Sequence, residues 1–325
     1  MISLKRLHNW IKRPLWHKMR SIAFHTKKLL RGGVKILFFP VVRFFTNTRF
    51  GRSVFFEHQP ALTYLTAQTQ AGKFVVNSSD KVIGRSTFVN QIPFESEMLS
   101  EAISLLKDES AKGGIKLLID IGANIGTIGL TAVSTGLVEK CIAFEPEPNN
   151  FNLLQINIAI NSLSNRVKAY NLALSDGSVT ELAFELDGVN YGDHRVRISE
   201  EQGLYNEMSR TVIKVKAAQL SDFQNDIDPT TSLIWMDTQG FEGYVLTGAI
   251  PLIKKRIPIV TEFWPYGLKR SNCFEKFLDA LDSGNYRFVI VLHGDNISKG
   301  YQRQTLLDLA NSIGWEGAHT DLLLY

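Results

Sequence analysis

Cysteine and long apolar runs are both scarce in this sequence. The 325 residues include two cysteines, Cys141 and Cys273, too few for a disulfide framework or a cysteine-based metal site. The longest apolar stretch, residues 36–42, contains Pro40 and is far shorter than the roughly 20 residues of a membrane-spanning helix. Because charges recur throughout the first 31 residues, no secretory signal is indicated and a cytosolic location is expected.

Acidic residues are absent from residues 1–56, which carry thirteen lysines and arginines. Leucine, isoleucine, tryptophan and phenylalanine lie between these charges at close to helical spacing. This pattern is typical of an amphipathic helix on an anionic membrane surface, so residues 1–45 could bind peripherally to the inner face of the cell membrane. A solvated basic helix that covers the rest of the chain is the alternative. A nucleic-acid contact is less favoured because no binding module is visible.

The remaining sequence divides into a lead-in segment, residues 57–115, and a main domain, residues 116–325. In the lead-in segment, residues 73–84 are predicted to form two short strands around an Asn-Ser-Ser-Asp turn. Apolar residues at helical spacing predict a helix over residues 95–110.

Strand and helix patterns alternate in the main domain, which predicts an α/β fold with a parallel sheet and helices on both faces. One continuous helix is expected over residues 242–255, and an inserted hairpin over residues 180–220 interrupts the alternation. The seven predicted strands lie within residues 116–121, 140–145, 166–174, 232–237, 257–264, 286–292 and 321–325.

A glycine-rich turn follows the first of these strands, in the sequence LLIDIGANIGTIGL (residues 117–130). The dinucleotide fingerprint G-x-G-x-x-G fails because the residue two after Gly122 is Asn124. A phosphate-binding P-loop fails because no lysine precedes Thr127. A tight strand-to-helix turn with no ligand is the structural alternative.

The end of the next predicted strand supplies a carboxylate, Glu145, 23 residues after Gly122. That interval is close to the roughly 20 residues expected when a carboxylate binds a ribose diol. Asp120 could pair with a cationic amino group, directly or through water. S-adenosylmethionine offers an amino group, a ribose and an adenine, and it fits these residues best.

Four segments together carry a family resemblance: LLIDIGANIGTIGL, CIAFEPEPNNFNLLQINIAIN, VKAYNLALSDGS and LIWMDTQGFEGYVLTGA. In this order and spacing they resemble the FkbM family of S-adenosylmethionine-dependent methyltransferases, over roughly residues 72–265. The resemblance implies a class I methyltransferase (Rossmann-like) fold, a seven-stranded sheet whose last strand is antiparallel. It also implies O-methylation of sugars or other natural-product hydroxyls.

The resemblance also implies a set of cofactor-binding residues. The methionine and ribose end of S-adenosylmethionine would be lined by Asp120, Gly122, Ala123, Asn124 and Gly126, and Glu145 would bind the ribose hydroxyls. Ser175 and Asp176 would lie near the adenine. Asp237 would bind the cofactor from the end of the fourth strand. The family often has D-V-E-G-x-E at that strand end. Here the sequence is DTQGFE, and Gln239 replaces an acidic residue.

A hydroxyl acceptor has to lose its proton, which favours a nearby general base. His194 is the leading candidate because it lies in the polar insertion, and Asp237 and Glu262 are the others. Arg195 and Arg197 could bind an acidic acceptor such as an anionic saccharide, or could be solvated charges. No metal is predicted, because no partner for Asp237 as a metal ligand is visible.

Two other functional classes stay open in the sequence. A non-catalytic S-adenosylmethionine-binding or scaffolding module on a membrane-bound assembly is the main alternative to an enzyme. NAD-dependent redox chemistry is disfavoured by the failed fingerprint.

Overall fold

The computed structural model of the chain describes residues 43, 46–59, 62–109, 114–292 and 298–325. Contacts divide the chain into two units, residues 1–60 and 61–325. In the first unit, helix α1 (Arg49–His58) begins where the Thr48 hydroxyl accepts a hydrogen bond from the Gly51 amide at 2.9 Å. Of residues 1–45, which are predicted to bind the membrane, only Arg43 is among the described residues. Among the described helices, none combines the length and apolarity needed to cross a bilayer.

The second unit contains fourteen described strands and nine described helices of the α type. The strands are β1 (Tyr64–Thr69), β2 (Gly72–Asn77), β3 (Leu117–Ile121), β4 (Lys140–Phe144), β5 (Val167–Tyr170), β6 (Ala173–Leu174), β7 (Glu181–Leu186), β8 (Arg195–Val196), β9 (Thr211–Ala218), β10 (Ser232–Met236), β11 (Ile259–Phe263), β12 (Phe288–Leu292), β13 (Ser298–Gly300) and β14 (Thr320–Leu324). The helices are α2 (Ile83–Asn90), α3 (Ser96–Glu109), α4 (Thr127–Ser134), α5 (Pro148–Ile160), α6 (Glu242–Thr247), α7 (Ile250–Ile253), α8 (Pro265–Arg270), α9 (Phe274–Gly284) and α10 (Arg303–Ile313).

The main sheet has the strand order β13-β12-β14-β11-β10-β3-β4-β5 in the described part of the chain. Strands β11, β10, β3, β4 and β5 pair in parallel, whereas β14 pairs antiparallel with both β11 and β12. The predicted class I methyltransferase sheet of seven strands with an antiparallel last strand is therefore confirmed. The short strand β13 extends it at one edge, which the sequence pattern did not predict.

The central strands are almost continuous apolar runs because helices cover both faces of the sheet. Every residue of β10 and of β11 is buried. Five parallel strands end at the same edge, where β3 and β4 lead into the glycine-rich turn and towards Glu145. Side chains that follow the strand ends are therefore brought together.

The lead-in segment differs from its prediction. Its hairpin joins β1 to β2, in a register from Tyr64 opposite Asn77 to Thr69 opposite Gly72. The predicted second strand, after the Asn-Ser-Ser-Asp turn, is wrong, because helix α2 begins there. The Asp80 carboxylate accepts hydrogen bonds from the Val82 and Gly84 amides at 3.1 and 2.7 Å, which stabilises the helix start.

The predicted helix over residues 242–255 is likewise wrong as one element, since α6 and α7 are separate. Pro251 lies in the first turn of α7 and has no amide hydrogen to continue a preceding helix. Between the two helices, a Cβ at Gly248 would overlap the Ser175 carbonyl oxygen. The chain therefore passes close to the Ser175 backbone between the two helices.

The predicted inserted hairpin is present. Strand β7 pairs antiparallel with β9, from Glu181 opposite Lys216 to Leu186 opposite Thr211, and the two-residue strand β8 pairs with the other edge of β7. The polar stretch between the arms contains Tyr191 and His194.

Candidate active site

The glycine-rich turn packs against the backbone of the neighbouring strand ends. Gly122 has φ +84°, and a Cβ there would overlap the Asp237 carbonyl oxygen, so the position requires glycine. The amides of Gly122 and Ala123 both donate to the Phe144 carbonyl oxygen at 3.0 Å. Gly126, at φ +90°, precedes the first residue of α4. The turn is thereby fixed across three adjacent strands.

Asp120 lies beneath this turn and is 2% exposed. Its Oδ2 accepts a hydrogen bond from the Gly129 amide at 2.9 Å. Burial raises the pKa of Asp120 to about 7. Asp120 therefore holds the first turn of α4 and does not line the cleft described below.

Glu145 links the second strand end to the turn. Its Oε2 accepts from the Asn124 amide at 2.8 Å and its Oε1 accepts from the Glu147 amide at 2.7 Å. Burial raises the pKa of Glu145 to about 8, although these two donors oppose the rise. Each carboxylate oxygen retains a second lone pair, which a ribose hydroxyl could use.

A cleft of about 610 Å³, including its open mouth, lies above the turn and next to Glu145. Its lining residues are Ile83, Ile121, Gly122, Asn124, Phe144, Glu145, Pro146, Asn150, Leu172, Ala173, Leu174, Phe184, Tyr191, Gly192, His194, Val196, Asp237, Thr238 and Phe241. Four predicted cofactor residues, Gly122, Asn124, Glu145 and Asp237, therefore share one cleft.

Ser175 and Asp176 do not line this cleft, contrary to the implied adenine contact. The Ser175 amide donates to the Ala218 carbonyl oxygen at 2.8 Å, and Asp176 binds Ser178 through its carboxylate. The preceding residues 172–174 form the wall instead. The short pairing of β6 with β9 draws the chain away from the cleft after Leu174.

The insertion supplies another wall of the cleft. The Tyr191 carbonyl oxygen accepts hydrogen bonds from the Nδ2 atoms of Asn124, at 2.9 Å, and Asn150, at 3.2 Å. Asn150, which lies in the first turn of α5, and Tyr191 are not among the residues predicted from the sequence. Their roles depend on a contact between distant segments, which spacing alone does not reveal.

His194 also lines the cleft, but its environment suits a neutral imidazole. Its Nδ1 accepts a hydrogen bond from the Asp187 amide at 3.0 Å, so in the neutral ring the proton is on Nε2. Burial lowers the pKa of His194 to about 4. In this arrangement Nδ1 is occupied and Nε2 carries a proton, which favours a structural role over that of a general base.

Two carboxylates meet at the ends of β10 and β11. Gln239 donates from Nε2 to Asp237 Oδ1 at 2.7 Å and to the two Glu262 oxygens at 3.3 and 3.2 Å. Burial raises the pKa of Asp237 to about 6, and it raises the pKa of Glu262 well above the ordinary range, with the Asp237 charge contributing. Asp237 lines the cleft, and Glu262 adjoins it through Gln239.

Glu242 completes a group of three carboxylates with these two. One oxygen from each lies within 4.8 Å of the other two, a spacing that a divalent cation could span. However, a hydrogen-bond donor, the Gln239 amide, contacts two of them. Glu242 Oε1 accepts from the Thr238 amide and hydroxyl, both at 2.9 Å, and holds the loop after β10.

Glu95, just before α3, is a further carboxylate near this group that the sequence analysis did not identify. It has φ +60°, and burial raises its pKa to about 8, with the Asp237 charge contributing. The region around Asp237 is therefore rich in acidic groups, and such a region favours a cationic ligand.

Arg195 and Arg197 do not face solvent as free cations. The two side chains are 5% and 11% exposed, and both form ion pairs with Glu185, at 3.3 and 3.0 Å. Arg210 belongs to the same network and pairs with Asp193. The interpretation of Arg195 and Arg197 as solvated charges is thus wrong, and their pairing weakens the case for an acidic acceptor at these residues.

The family model described as the methyltransferase FkbM domain matches residues 120–288. Among solved structures, the chain is similar to the methyltransferase FkbM from Methylobacillus flagellatus KT, with 18% identity, a TM-score of 0.39 and coverage of 65% of this chain and 44% of that chain. It thus spans less than half of that protein.

Two further solved structures show similarity of this kind. One is M. jannaschii TYW2 in complex with AdoMet, with 11% identity, a TM-score of 0.38 and coverage of 82% of this chain and 86% of that chain. The other is precorrin-6y C5,15-methyltransferase from Geobacter metallireducens GS-15, with 12% identity, a TM-score of 0.35 and coverage of 72% and 90%. No curated protein matches the chain.

Proposed function

This chain belongs to the FkbM methyltransferase family, and we propose that it transfers a methyl group from S-adenosylmethionine to a hydroxyl oxygen of a saccharide or related natural product. S-adenosylmethionine is the methyl donor of this family. The observation that carries the proposal is the position of Asp237, a carboxylate that shares the cleft with Gly122 and Glu145. A potential base therefore lies beside the predicted donor site.

The donor would lie across the glycine-rich turn. Glu145 would accept hydrogen bonds from the two ribose hydroxyls through the lone pairs that its backbone donors leave free. The amino and sulfonium groups of the donor are both positive, so the acidic groups around Asp237 would stabilise them. Residues 172–174 would contact the adenine.

The reaction is an in-line displacement. The acceptor oxygen would form a bond to the methyl carbon as the carbon–sulfur bond breaks. The electron pair of the broken bond would stay on sulfur, which gives S-adenosylhomocysteine. The hydroxyl proton passes to the Asp237 carboxylate, which acts as general base. Much of the acceleration would come from holding oxygen, carbon and sulfur in line. We assign the base to Asp237 because His194 has its Nδ1 occupied.

The test is incubation of the protein with methyl-labelled S-adenosylmethionine and a cell-envelope glycan extract. We expect label in a product that resists mild alkali, since a methyl ether survives conditions that hydrolyse a methyl ester. Asp237→Asn should abolish labelling, whereas the matched exposed change Asp226→Asn should leave it intact.

Calorimetry with S-adenosylmethionine separates the alternatives. Donor binding by the wild-type protein without labelling of glycans or other hydroxyl compounds would favour the non-catalytic module. Binding of NAD in place of S-adenosylmethionine would overturn the assignment of the cleft itself.

A further inference from the structure

Gln239 is the only described residue whose side chain donates hydrogen bonds to both Asp237 and Glu262. Its Nε2 has two hydrogens, and it lies 2.7 Å from Asp237 Oδ1 and 3.2 Å from the nearer Glu262 oxygen. In the described part of the chain, no lysine or arginine forms an ion pair with either carboxylate. The neutral Gln239 amide therefore donates to this carboxylate pair in the place where a lysine or arginine would otherwise form an ion pair.

The backbone at this position is unusual for a residue with a long side chain. Gln239 has φ +54°, in the left-handed region, where residues other than glycine are uncommon. It stands between Asp237 and Gly240 in the loop that Glu242 holds through the amides of Thr238 and Gly240. Backbone strain of this kind persists only where the surroundings impose it, and it often accompanies function.

We propose that Gln239 is a positioning residue that keeps Asp237 ionised as the general base and leaves the proton of the carboxylate pair on Glu262. This inference rests on the proposed function, since it assigns roles within the same site. Two adjacent buried carboxylates do not readily ionise together, and the environment decides which one holds the proton.

The geometry determines the direction of this asymmetry. A donated hydrogen bond stabilises the ionised form of a carboxylate, and the bond to Asp237 is shorter by about half an ångström than either bond to Glu262. Glu262 is also more deeply buried, at 7% exposure, whereas Asp237 is half-buried beside the cleft. Both differences favour charge on Asp237 and a proton on Glu262.

Other charged groups act on the same pair from every side of the site. They are Asp120 from β3, Glu242 from α6, Asp321 from β14, His319 before β14 and Glu95 before α3. Four of the five are acidic, and they disfavour negative charge on Asp237 and Glu262. The hydrogen bond from Gln239 stabilises negative charge on Asp237 and so opposes these neighbours.

The experiment follows the Asp237 carboxyl directly by NMR of the full chain labelled with ¹³C at aspartate side chains. The Asp237 signal is identified by its loss in Asp237→Asn. We expect it to titrate near pH 6 in the wild-type protein. In Gln239→Leu, which keeps the volume and removes the donor, its midpoint should rise by about one pH unit or more.

A second variant protects the test against misfolding. Gln239→Asn tolerates the left-handed backbone, but its amide is one methylene too short to contact both carboxylates. It should also raise the Asp237 midpoint. Gln304→Leu is the matched control, because Gln304 donates to Asp308 at 2.8 Å on the exposed face of α10, and this change should leave the Asp237 midpoint unaltered.

An Asp237 midpoint that stays within about 0.3 pH unit of wild type in both Gln239 variants would show that the residue serves packing alone, and would overturn the inference. The titration needs neither donor nor acceptor. A failure of methyl transfer with the expected shift in both Gln239 variants would therefore reject the proposed function and the role of Asp237 as base, while the effect of Gln239 on the ionisation of Asp237 would stand.

Discussion

The backbone amide of Asn124 donates to the Glu145 carboxylate at 2.8 Å, which joins the glycine-rich turn directly to the end of β4. The same carboxylate accepts from the Glu147 amide at the start of α5. The group that would bind the ribose therefore also sets the shape of the surrounding backbone, so cofactor affinity and local structure depend on one side chain.

Replacing Glu145 with glutamine should weaken S-adenosylmethionine binding by about 10- to 100-fold, because the new side-chain NH₂ would face one of the two backbone amides that donate to Glu145 and would disturb the glycine-rich turn. Calorimetry with S-adenosylmethionine and S-adenosylhomocysteine measures the change. Glu139→Gln, an exposed change before β4, is the control. Equal affinity in the Glu145 variant would exclude this carboxylate from the donor site.

Replacing Gly122 with alanine should destabilise the fold by about 2 kcal/mol or more and abolish donor binding, since the new Cβ would meet the Asp237 carbonyl oxygen at φ +84°. Thermal unfolding and calorimetry report the two effects. Gly188→Ala is the matched control, because nothing lies within 4 Å of its added Cβ. Similar behaviour of the two variants would contradict the close approach at Gly122.

His194 should stay neutral with its proton on Nε2 at every pH above about 5, because burial lowers its pKa to about 4. Nitrogen-15 NMR of the imidazole distinguishes the two tautomers and the cation. A midpoint near the ordinary histidine value of about 6.5 would restore His194 as a candidate base.

Stability should fall as pH rises from about 5 to 8. Burial raises the native pKa of Glu145 and Asp120 to about 8 and about 7, above their unfolded values. The native protein then binds more protons than the unfolded chain in this range, so its stabilisation is lost as these groups ionise. His194, whose native pKa is lowered, acts in the opposite direction and mainly below pH 6.5.

The unfolding midpoint measured between pH 5 and 9 checks this expectation. Glu262→Gln removes one of the buried acids and should flatten the decline, whereas Glu139→Gln should leave the profile as in the wild type. A midpoint that rises from pH 5 to 8 would contradict the conclusion that burial raises the pKa values of these carboxyl groups.

We also propose that residues 1–45 bind anionic membranes, because lysines and arginines recur along this segment and it contains no acidic residue. The full chain should float with vesicles that contain phosphatidylserine or phosphatidylglycerol and should be released by about 0.5 M salt, because screening shortens the range of the attraction. Neutral phosphatidylcholine vesicles are the control. Equal flotation after replacement of Lys5, Arg6, Lys12 and Arg13 with glutamine would refute the proposal.

The sequence predicted the main sheet well because its strands are short apolar runs separated by helices, and that pattern has few solutions. Four of the predicted donor-binding residues, Gly122, Asn124, Glu145 and Asp237, do line one cleft, at the edge where parallel strands place a ligand, and their binding roles stay predictions. The positions of these residues depend on local sequence and strand order alone.

Features that depend on contacts between distant segments could not be predicted. The helix at Ile83 replaces a predicted strand because the Asp80 side chain, rather than an apolar pattern, begins it. Tyr191 lies in the wall of the cleft, where two asparagines from other segments bind its carbonyl oxygen. The shifted titration of His194 likewise comes from burial by partners that its own sequence neighbourhood does not specify.

The hydrogen bonds from Asn124 and Asn150 to the Tyr191 carbonyl oxygen make the insertion part of the wall of the proposed donor cleft. An insertion confined to the acceptor side could be exchanged between relatives to change substrate choice while the methyl donor is retained. Here, exchange of residues 180–220 would remove one wall of the donor cleft as well. Transplantation of this hairpin would therefore have to include Asn124 and Asn150, because both side chains bind the Tyr191 carbonyl oxygen.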